Sequence, residues 1–356
     1  IVITYAQNDT IQERLPPGQR LPYSSVTVPI NKSSIAGYVA DTKKTVNIPD
    51  AYAIPASAPY GFASSYDEQN DYHTQSVLGF PLKTPGGEVL GVLQILNRLE
   101  DNGETVAFSQ DDEHLAEHFA ANATVALERA KLTRSMIIRS INMARMRDPG
   151  ETGAHVNRVA GYAVEIYERW ARHMAIPQRK IEKTKDNLRM AAMLHDVGKV
   201  AISDTILKKP ARFNDEERSV MQSHTWQGAQ LFQGRESDFD DLALDIALNH
   251  HEAWDGSGYP GHVDLSSGKP VDTKADGTAV GKRGKEIPLF GRIVAIADVY
   301  DALRSPRVYK KPWKEEDVLK EIRALAGTHF DPDLVDVFFE VLPVIQSIGN
   351  KFSEAS

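Results

Sequence analysis

His195-Asp196 and His250-His251 are two adjacent pairs of side chains that bind metal ions well through nitrogen or oxygen. His224 lies between them along the chain, Asp298 follows, and Glu151 and His155 stand four residues apart upstream. The chain has no cysteine, so thiolate does not compete for the ion. Imidazole with carboxylate is the ligand chemistry of a hydrolytic or redox transition-metal site, not of a structural zinc knot. Eight such groups exceed the needs of one ion. The set therefore predicts two or three metal ions, and with them phosphoester hydrolysis.

Taken singly, these residues say less. Glu151 and His155 at i and i+4 share a helix face, but such pairs more often decorate a solvated surface. His195-Asp196 closes the apolar stretch Met190–Leu194 and precedes Val197-Gly198-Lys199. Two polar groups ending a buried segment need partners or a metal, and Lys199 adds a cation for a phosphate; the plainer reading is a polar helix end. His250-His251 follows the apolar run Leu242–Leu248. Adjacent helical residues project about 100° apart, so the pair can face two neighbouring ions better than one, although one core and one surface histidine would serve equally well. His224 alone means little. Asp298 interrupts the apolar run Ile293–Ala297. The constellation is more specific than its parts, because separate helices each bring an imidazole or a carboxylate to an apolar setting.

Two further features lie close by. The turn Glu252–Pro260 sets glycines and a proline around Tyr259, which predicts a tight, exposed loop whose tyrosine can contact a ligand. Arg307, Lys310 and Lys311 form a basic run soon after Asp298. Charge runs are usually solvated faces, but here the cations come within reach of phosphates on a metal-held substrate.

The elements that must position these groups change character along the chain. Residues 1–108 alternate short β-branched runs with turn signals: Ser25–Ile30, Thr45–Pro49, Ser76–Leu82 and Val89–Leu96, the last a buried strand after the turn Lys83–Glu88. Pro81 marks an edge or a strand end. This segment reads as an α+β domain with an antiparallel sheet. Acids at Asp111, Asp112 and Glu113 open a helix with the stripe Leu115, Phe119, Ala123, Ala126 and Ala130. It runs to Pro149-Gly150, a connector over 109–148 of roughly 35 residues and about 50 Å, suited to pairing with a second copy; the plainer alternative is two helices with a bend. Residues 149–356 read as an all-α bundle with helices over 151–173, 180–196, 215–232, 238–251, 287–303, 314–326 and 331–347, and a long polar exposed loop between Gly256 and Glu286.

The 356 residues allow two domains. The formal net charge of −8 argues against long nucleic acid as a partner, which needs a basic face, but leaves room for a small phosphorylated ligand held by local cations and metal ions. The absence of cysteine fits a reducing cytoplasm, and neither a signal peptide nor a membrane-spanning apolar stretch is visible. The first residue, Ile1, reads as the middle of a domain, so that sequence upstream could hold an anchor or a further sensor.

The motifs HDVGK at 195–199, HHEAWDGSGYP at 250–260 and ADVYDAL at 297–303 resemble those of the HD-GYP family of cyclic di-GMP phosphodiesterases, a likeness covering about residues 140 to 345. The resemblance implies an HD-type helical bundle with metal ligands at Glu151, His155, His195, Asp196, His224, His250, His251 and Asp298. It implies two or three ions, iron first and manganese as an option, with Glu151 marking the three-ion subgroup. It places Lys199, Arg307 and Lys310 on substrate phosphates, and Tyr259 in a loop linked to substrate access and to diguanylate cyclase (GGDEF) partners. Asp301 or a metal-bound water is the candidate protonator of the leaving oxygen. Val308 stands where the family has proline, and the loop after Pro260 is longer than usual. The stretches 34–53 and 87–98, with Asn97, Arg98, Phe108, Asp112 and Glu113, resemble a GAF domain, which implies a sensor for a small ligand or a dimerisation scaffold within a homodimer. The expected reaction is hydrolysis of cyclic di-GMP to linear pGpG and then GMP, with Asp196 and Lys199 central. The alternatives are an adaptor that binds the nucleotide without cleaving it, and cleavage of a hybrid cyclic GMP-AMP.

Overall fold

The computed structural model describes residues 29–147, 152–305 and 312–352. The chain divides into two compact units, Ile1–Met136 and Ile137–Ser356.

In the first unit, helix α1 (Ile35–Thr42) starts where Ser34 Oγ accepts the Gly37 N–H at 3.0 Å and stops at Lys43, whose φ of 60° leaves the helix. Strand β1 (Val46–Ile48) is followed by helix α2 (Ser65–Asn70), the hairpin β2 (Val77–Lys83) and β3 (Val89–Leu96), and the short pair β4 (Arg98–Leu99) and β5 (Thr105–Val106). The order β1-β2-β3 is antiparallel throughout. Alternation along β2 sends Val77 to a cluster with Ile35, Val39, Val46 and Ile48, and sends Leu78, Phe80 and Leu82 to the other face, onto Ala116 and Ala120. Those alanines belong to the long helix α3 (Gln110–Arg145). Pro81 is tolerated in β2 because β1 pairing ends at Val46↔Gly79, so no ladder bond from β1 is needed there. Two strand expectations need correction. The β3 residues are half-buried or exposed along their length, so this is not a buried strand. Ser25–Val28 lies outside the described residues, and Pro29 and Ile30 are not in a strand. The GAF-like polar residues knit the sheet to α3: Arg98 Nε meets Asp112 Oδ2 at 2.6 Å, and Asn47 Nδ2 donates to the Phe108 carbonyl at 3.1 Å.

The second unit is helical: α4 (Gly153–His173), α5 (Gln178–Ala192), α6 (Asp204–Leu207), α7 (Asp215–Gln222), α8 (His224–Gln230), α9 (Asp238–Asn249), α10 (Leu289–Arg304), α11 (Glu315–Ala324), α12 (Pro332–Glu340) and α13 (Leu342–Lys351). Its core joins Val159, Tyr162 and Ile166 of α4 to Ile293, Ile296 and Tyr300 of α10 and to Phe338 of α12. Burial of such side chains stabilises the unit by about 1.5–3 kcal/mol each. The single helix expected over 215–232 is two, broken at Ser223, and that expected over 331–347 is two, broken at Val341.

The segment 261–286 is not a loose loop. Isolated bridges Val263↔Pro270 and Thr273↔Ala279 fold it into ribbons, and Val263 and Leu265 pack on Ala229, Leu244, Ala247 and Leu248. Periodicity missed this because ribbons with one-residue bridges carry no alternating run. No described helix is long and apolar enough to cross a membrane.

Candidate metal centre

His155 enters the site from the first turn of α4, where Thr152 Oγ1 accepts its backbone N–H at 3.2 Å. His195 and Asp196 lie just past α5 and lead into the 3-10 turn Val197–Ala201 that carries Lys199. His224 is the first residue of α8. His250 caps the C-terminus of α9, and His251 follows. Asp298 and Asp301, three residues apart, share one face of α10. Helix ends supply most of these groups because a backbone leaving a helix can aim a side chain inward while the apolar body of the helix stays in the core.

The ligand atoms fall into two sets, each with its members within 4.8 Å of one another: Asp196, His224, His250 and His251 in one, His155, His195 and Asp298 in the other. The His155 and His195 rings meet edge to face at 5.6 Å, and the His195 and His250 rings at 5.2 Å, so the sets adjoin. Asp196 spans the boundary. Its Oδ1 lies 3.1 Å from His224 Nε2 and 3.6 Å from His250 Nε2, while its Oδ2 lies 3.4 Å from His195 Nε2 and 2.6 Å from Lys199 Nζ. His250 and His251 fall in one set. The helix ends at Asn249, so the 100° step of a regular helix does not govern where His251 points.

Proton positions test whether these residues suit a cation. His195 Nδ1 bonds the Ala192 carbonyl at 2.9 Å, His224 Nδ1 the Met221 carbonyl at 2.7 Å, and His250 Nδ1 the Ile246 carbonyl at 3.0 Å. A carbonyl only accepts, so each Nδ1 is the donor there and each ring turns its Nε2 toward the site. His224 Nε2 and His250 Nε2 are 3.5 Å apart, both facing Asp196 Oδ1, which is buried and takes no hydrogen bond. A cation among these converging nitrogen and oxygen atoms would satisfy them together. The donor set therefore fits a metal ion, and its nitrogen and oxygen make-up fits a transition metal.

Burial sets the charges. It pushes the His250 imidazole below its ordinary value, and drives His251 well below it with help from the neighbouring rings. Burial pushes the Asp196 carboxyl up, but Lys199 and His195 outweigh it and hold the group well below the usual carboxylate range. Neutral imidazole beside ionised carboxylate is the state that binds metal.

Asp301, the candidate protonator, is held by Arg158 and His155. It is 1% exposed, accepts from Arg158 Nε at 2.6 Å and Nη2 at 2.8 Å, and takes the His155 Nδ1 proton at 2.8 Å. Burial alone would raise its carboxyl, but His155 and Arg158 bring it below the ordinary value. Its geometry is that of an orienting group: it turns His155 Nε2 toward Asp298 Oδ1, 3.5 Å away. Arg158 went unnoticed in the sequence, although its three-residue spacing from His155 matches that of Asp301 from Asp298. Tyr259 stacks on His251 with ring centroids 4.8 Å apart, and burial pushes its hydroxyl up. Glu151, Arg307 and Lys310 lie outside the described residues, as does Val308.

Residues 152–303 match the HD domain family, and residues 1–127 match the GAF domain family. The chain thus carries a GAF domain followed by an HD domain, as its motifs foretold. Among characterised relatives it is 36% identical, over 62% of this chain and 37% of the relative, to a 3′3′-cGAMP-specific phosphodiesterase of Vibrio cholerae. It is 38% identical, over 64% and 43%, to a cyclic di-GMP phosphodiesterase of the same organism, and 34% identical, over 73% and 61%, to a cyclic di-GMP phosphodiesterase response regulator of Xanthomonas campestris. The chain spans less than two thirds of the length of each.

Proposed function

We propose that the chain is a metal-dependent phosphodiesterase that opens cyclic di-GMP to linear pGpG and onward to GMP. The observation that carries the reading is the pair of adjoining ligand sets joined through the two oxygens of Asp196. His155, His195 and Asp298 would hold one ion, and Asp196, His224, His250 and His251 the other, with Glu151 available to a third. Iron is the first choice and manganese the second. Ions bound there supply Lewis acidity and a water that is nucleophilic at neutral pH. Asp301 and Arg158 keep His155 in the required tautomer. Lys199, whose ammonium already lies 2.6 Å from Asp196, stabilises negative charge on the phosphoryl oxygens, and Arg307 and Lys310 hold the second phosphate. Tyr259, stacked on His251, borders the nucleotide entrance and the docking face for GGDEF partners.

A second reading keeps the chemistry and changes the substrate to a cyclic GMP-AMP, because relatives of both specificities match at similar identity. Iron-loaded protein kept anaerobic and given both nucleotides in competition decides between them by chromatography of the linear products. Failure to cleave either one leaves the adaptor reading, in which the centre binds without turnover.

Regulation belongs to the first unit. A cavity of about 350 Å³ lined by Tyr52, Ile54, Tyr60 and Phe62 supports a small ligand there. Exposed Leu115, Phe119, Val125 and Leu132 on α3 support pairing with a second copy. A ligand that favours one arrangement of the helices would then shift turnover.

A further inference from the structure

The segment 261–286 closes on the two residues that flank the histidine pair. Asn249, directly before His250, is 1% exposed; Glu252, directly after His251, is 2% exposed. Lys282 Nζ donates to Asn249 Oδ1 at 2.5 Å, while Asn249 Nδ2 returns to the Asp245 carbonyl of its own helix at 2.8 Å. Glu252 Oε1 accepts the Gly261 N–H at 2.6 Å. One end of the segment therefore holds Asn249 and the other holds Glu252. The ends themselves are joined, since His262 N donates to the Val280 carbonyl at 2.9 Å.

Close packing leaves this arrangement little slack. A Cβ on Gly281 would lie 2.2 Å from the Gly256 carbonyl oxygen, and one on Gly261, at φ +77°, would lie 2.4 Å from that of Val280. Behind Asn249, a Cβ on Gly291 of α10 would come within 2.8 Å of the Asn249 Cβ. Helix α9 ends at Asn249, so His250 and His251 occupy the part of a helix that frays when nothing outside holds it.

We propose that the 261–286 segment is a brace for the metal centre, and that Lys282 is a positioning residue fixing the chain direction at His250-His251 through Asn249. The inference rests on the reading of those histidines as metal ligands. Lys282 bonds Asn249. It acts on how tightly the ligand pair is preorganised, as outer hydrogen-bonding partners of metal ligands do.

The test is a Mn²⁺ titration of the full chain against a competing chelating dye, with hydrogen exchange across residues 246–253. Lys282→Met is expected to raise the Mn²⁺ dissociation constant about tenfold or more and to speed exchange over 246–253. Turnover at saturating Mn²⁺ stays within about twofold of the parent. Lys282→Arg, which keeps a donor for Asn249, restores most of the affinity. Lys274→Met at the exposed tip of the same segment leaves it unchanged. Where Lys282→Met is too unstable to titrate, Asn249→Ala removes the same bond and must show the same rise. A Lys282→Met protein that binds Mn²⁺ as tightly as the parent overturns the brace while the metal centre stands. A parent that binds no Mn²⁺ removes the centre, and the brace with it.

Discussion

Asp196 reaches both ligand sets, so its loss should cost more than that of any single histidine. Asp196→Ala is expected to bring nucleotide hydrolysis to background while circular dichroism still reports a folded chain; near-parental turnover in that variant would remove the proposed mechanism. Asp301 works through His155 instead. Asp301→Asn keeps the shape but loses the charge that orients the ring, and metal affinity should fall about 10–100-fold, read as a raised Mn²⁺ dissociation constant. The pH dependence follows from the same residues. His250 and His251 lie below the ordinary imidazole value of 6.5 and Asp196 below the ordinary carboxylate value of 3.8. In each case the folded state binds fewer protons than the unfolded one, so the stability is present above the ordinary value and lost as pH falls toward the lowered one. The histidines therefore set the window that opens below about pH 6.5. Chelator-treated protein should show a lower urea midpoint at pH 5.5 than at pH 7.5, and metal-loaded protein should release its ions over the same range. An unchanged midpoint would mean that these imidazoles are not buried neutral.

At the scale of elements, the centre depends on how closely the turn after Asp196 lies on α8. A Cβ on Gly198 would fall 1.9 Å from the His224 carbonyl oxygen and 2.5 Å from the Gly228 nitrogen, both backbone atoms that cannot swing aside. Gly198→Ala should therefore destabilise the second unit by about 1–3 kcal/mol or more, measured as a lower denaturant midpoint. It should also weaken metal binding, because it drives Asp196 and His224 apart. The tail of α3 touches the same region. Ile141 packs with Val156, Leu194 and Val197, each next to a proposed ligand, and Arg147 donates to the carbonyls of Val200 and Ile202 and pairs with Asp204 at 2.9 Å. A signal that turned this helix would reach the Asp196–Lys199 turn through those contacts.

For the whole molecule, metal binding and stability are one equilibrium. An ion at 100 times its dissociation constant stabilises a fold by about 2.7 kcal/mol, so a strong chelator should lower the melting temperature of the second unit by several degrees. Its transition should then depend on metal concentration while that of the first unit does not. Removing residues 1–108 should change the hydrolysis rate or abolish its response to ligands; identical rates and responses with and without them would reduce the GAF domain to a scaffold.

The residue types that bind metal were legible in the sequence, because imidazoles and carboxylates set inside apolar runs are costly to bury unless a cation or a hydrogen-bonding partner meets them. So were the hairpin at Lys83–Glu88, the long helix from Gln110 and the apolar stripes that make the second unit helical, all of them local patterns of hydrophobicity and turn chemistry. What only the tertiary structure decided is where separate segments meet. It put His250 and His251 in one set, set Asp196 within 3.4 Å of His195 in the other, and placed Asp301 between His155 and Arg158. It also turned a polar stretch into a ribbon with Lys282 against Asn249. Spacing along a chain sets which side chains share a helix face. It does not set the distance between atoms that the packing of other helices brings together.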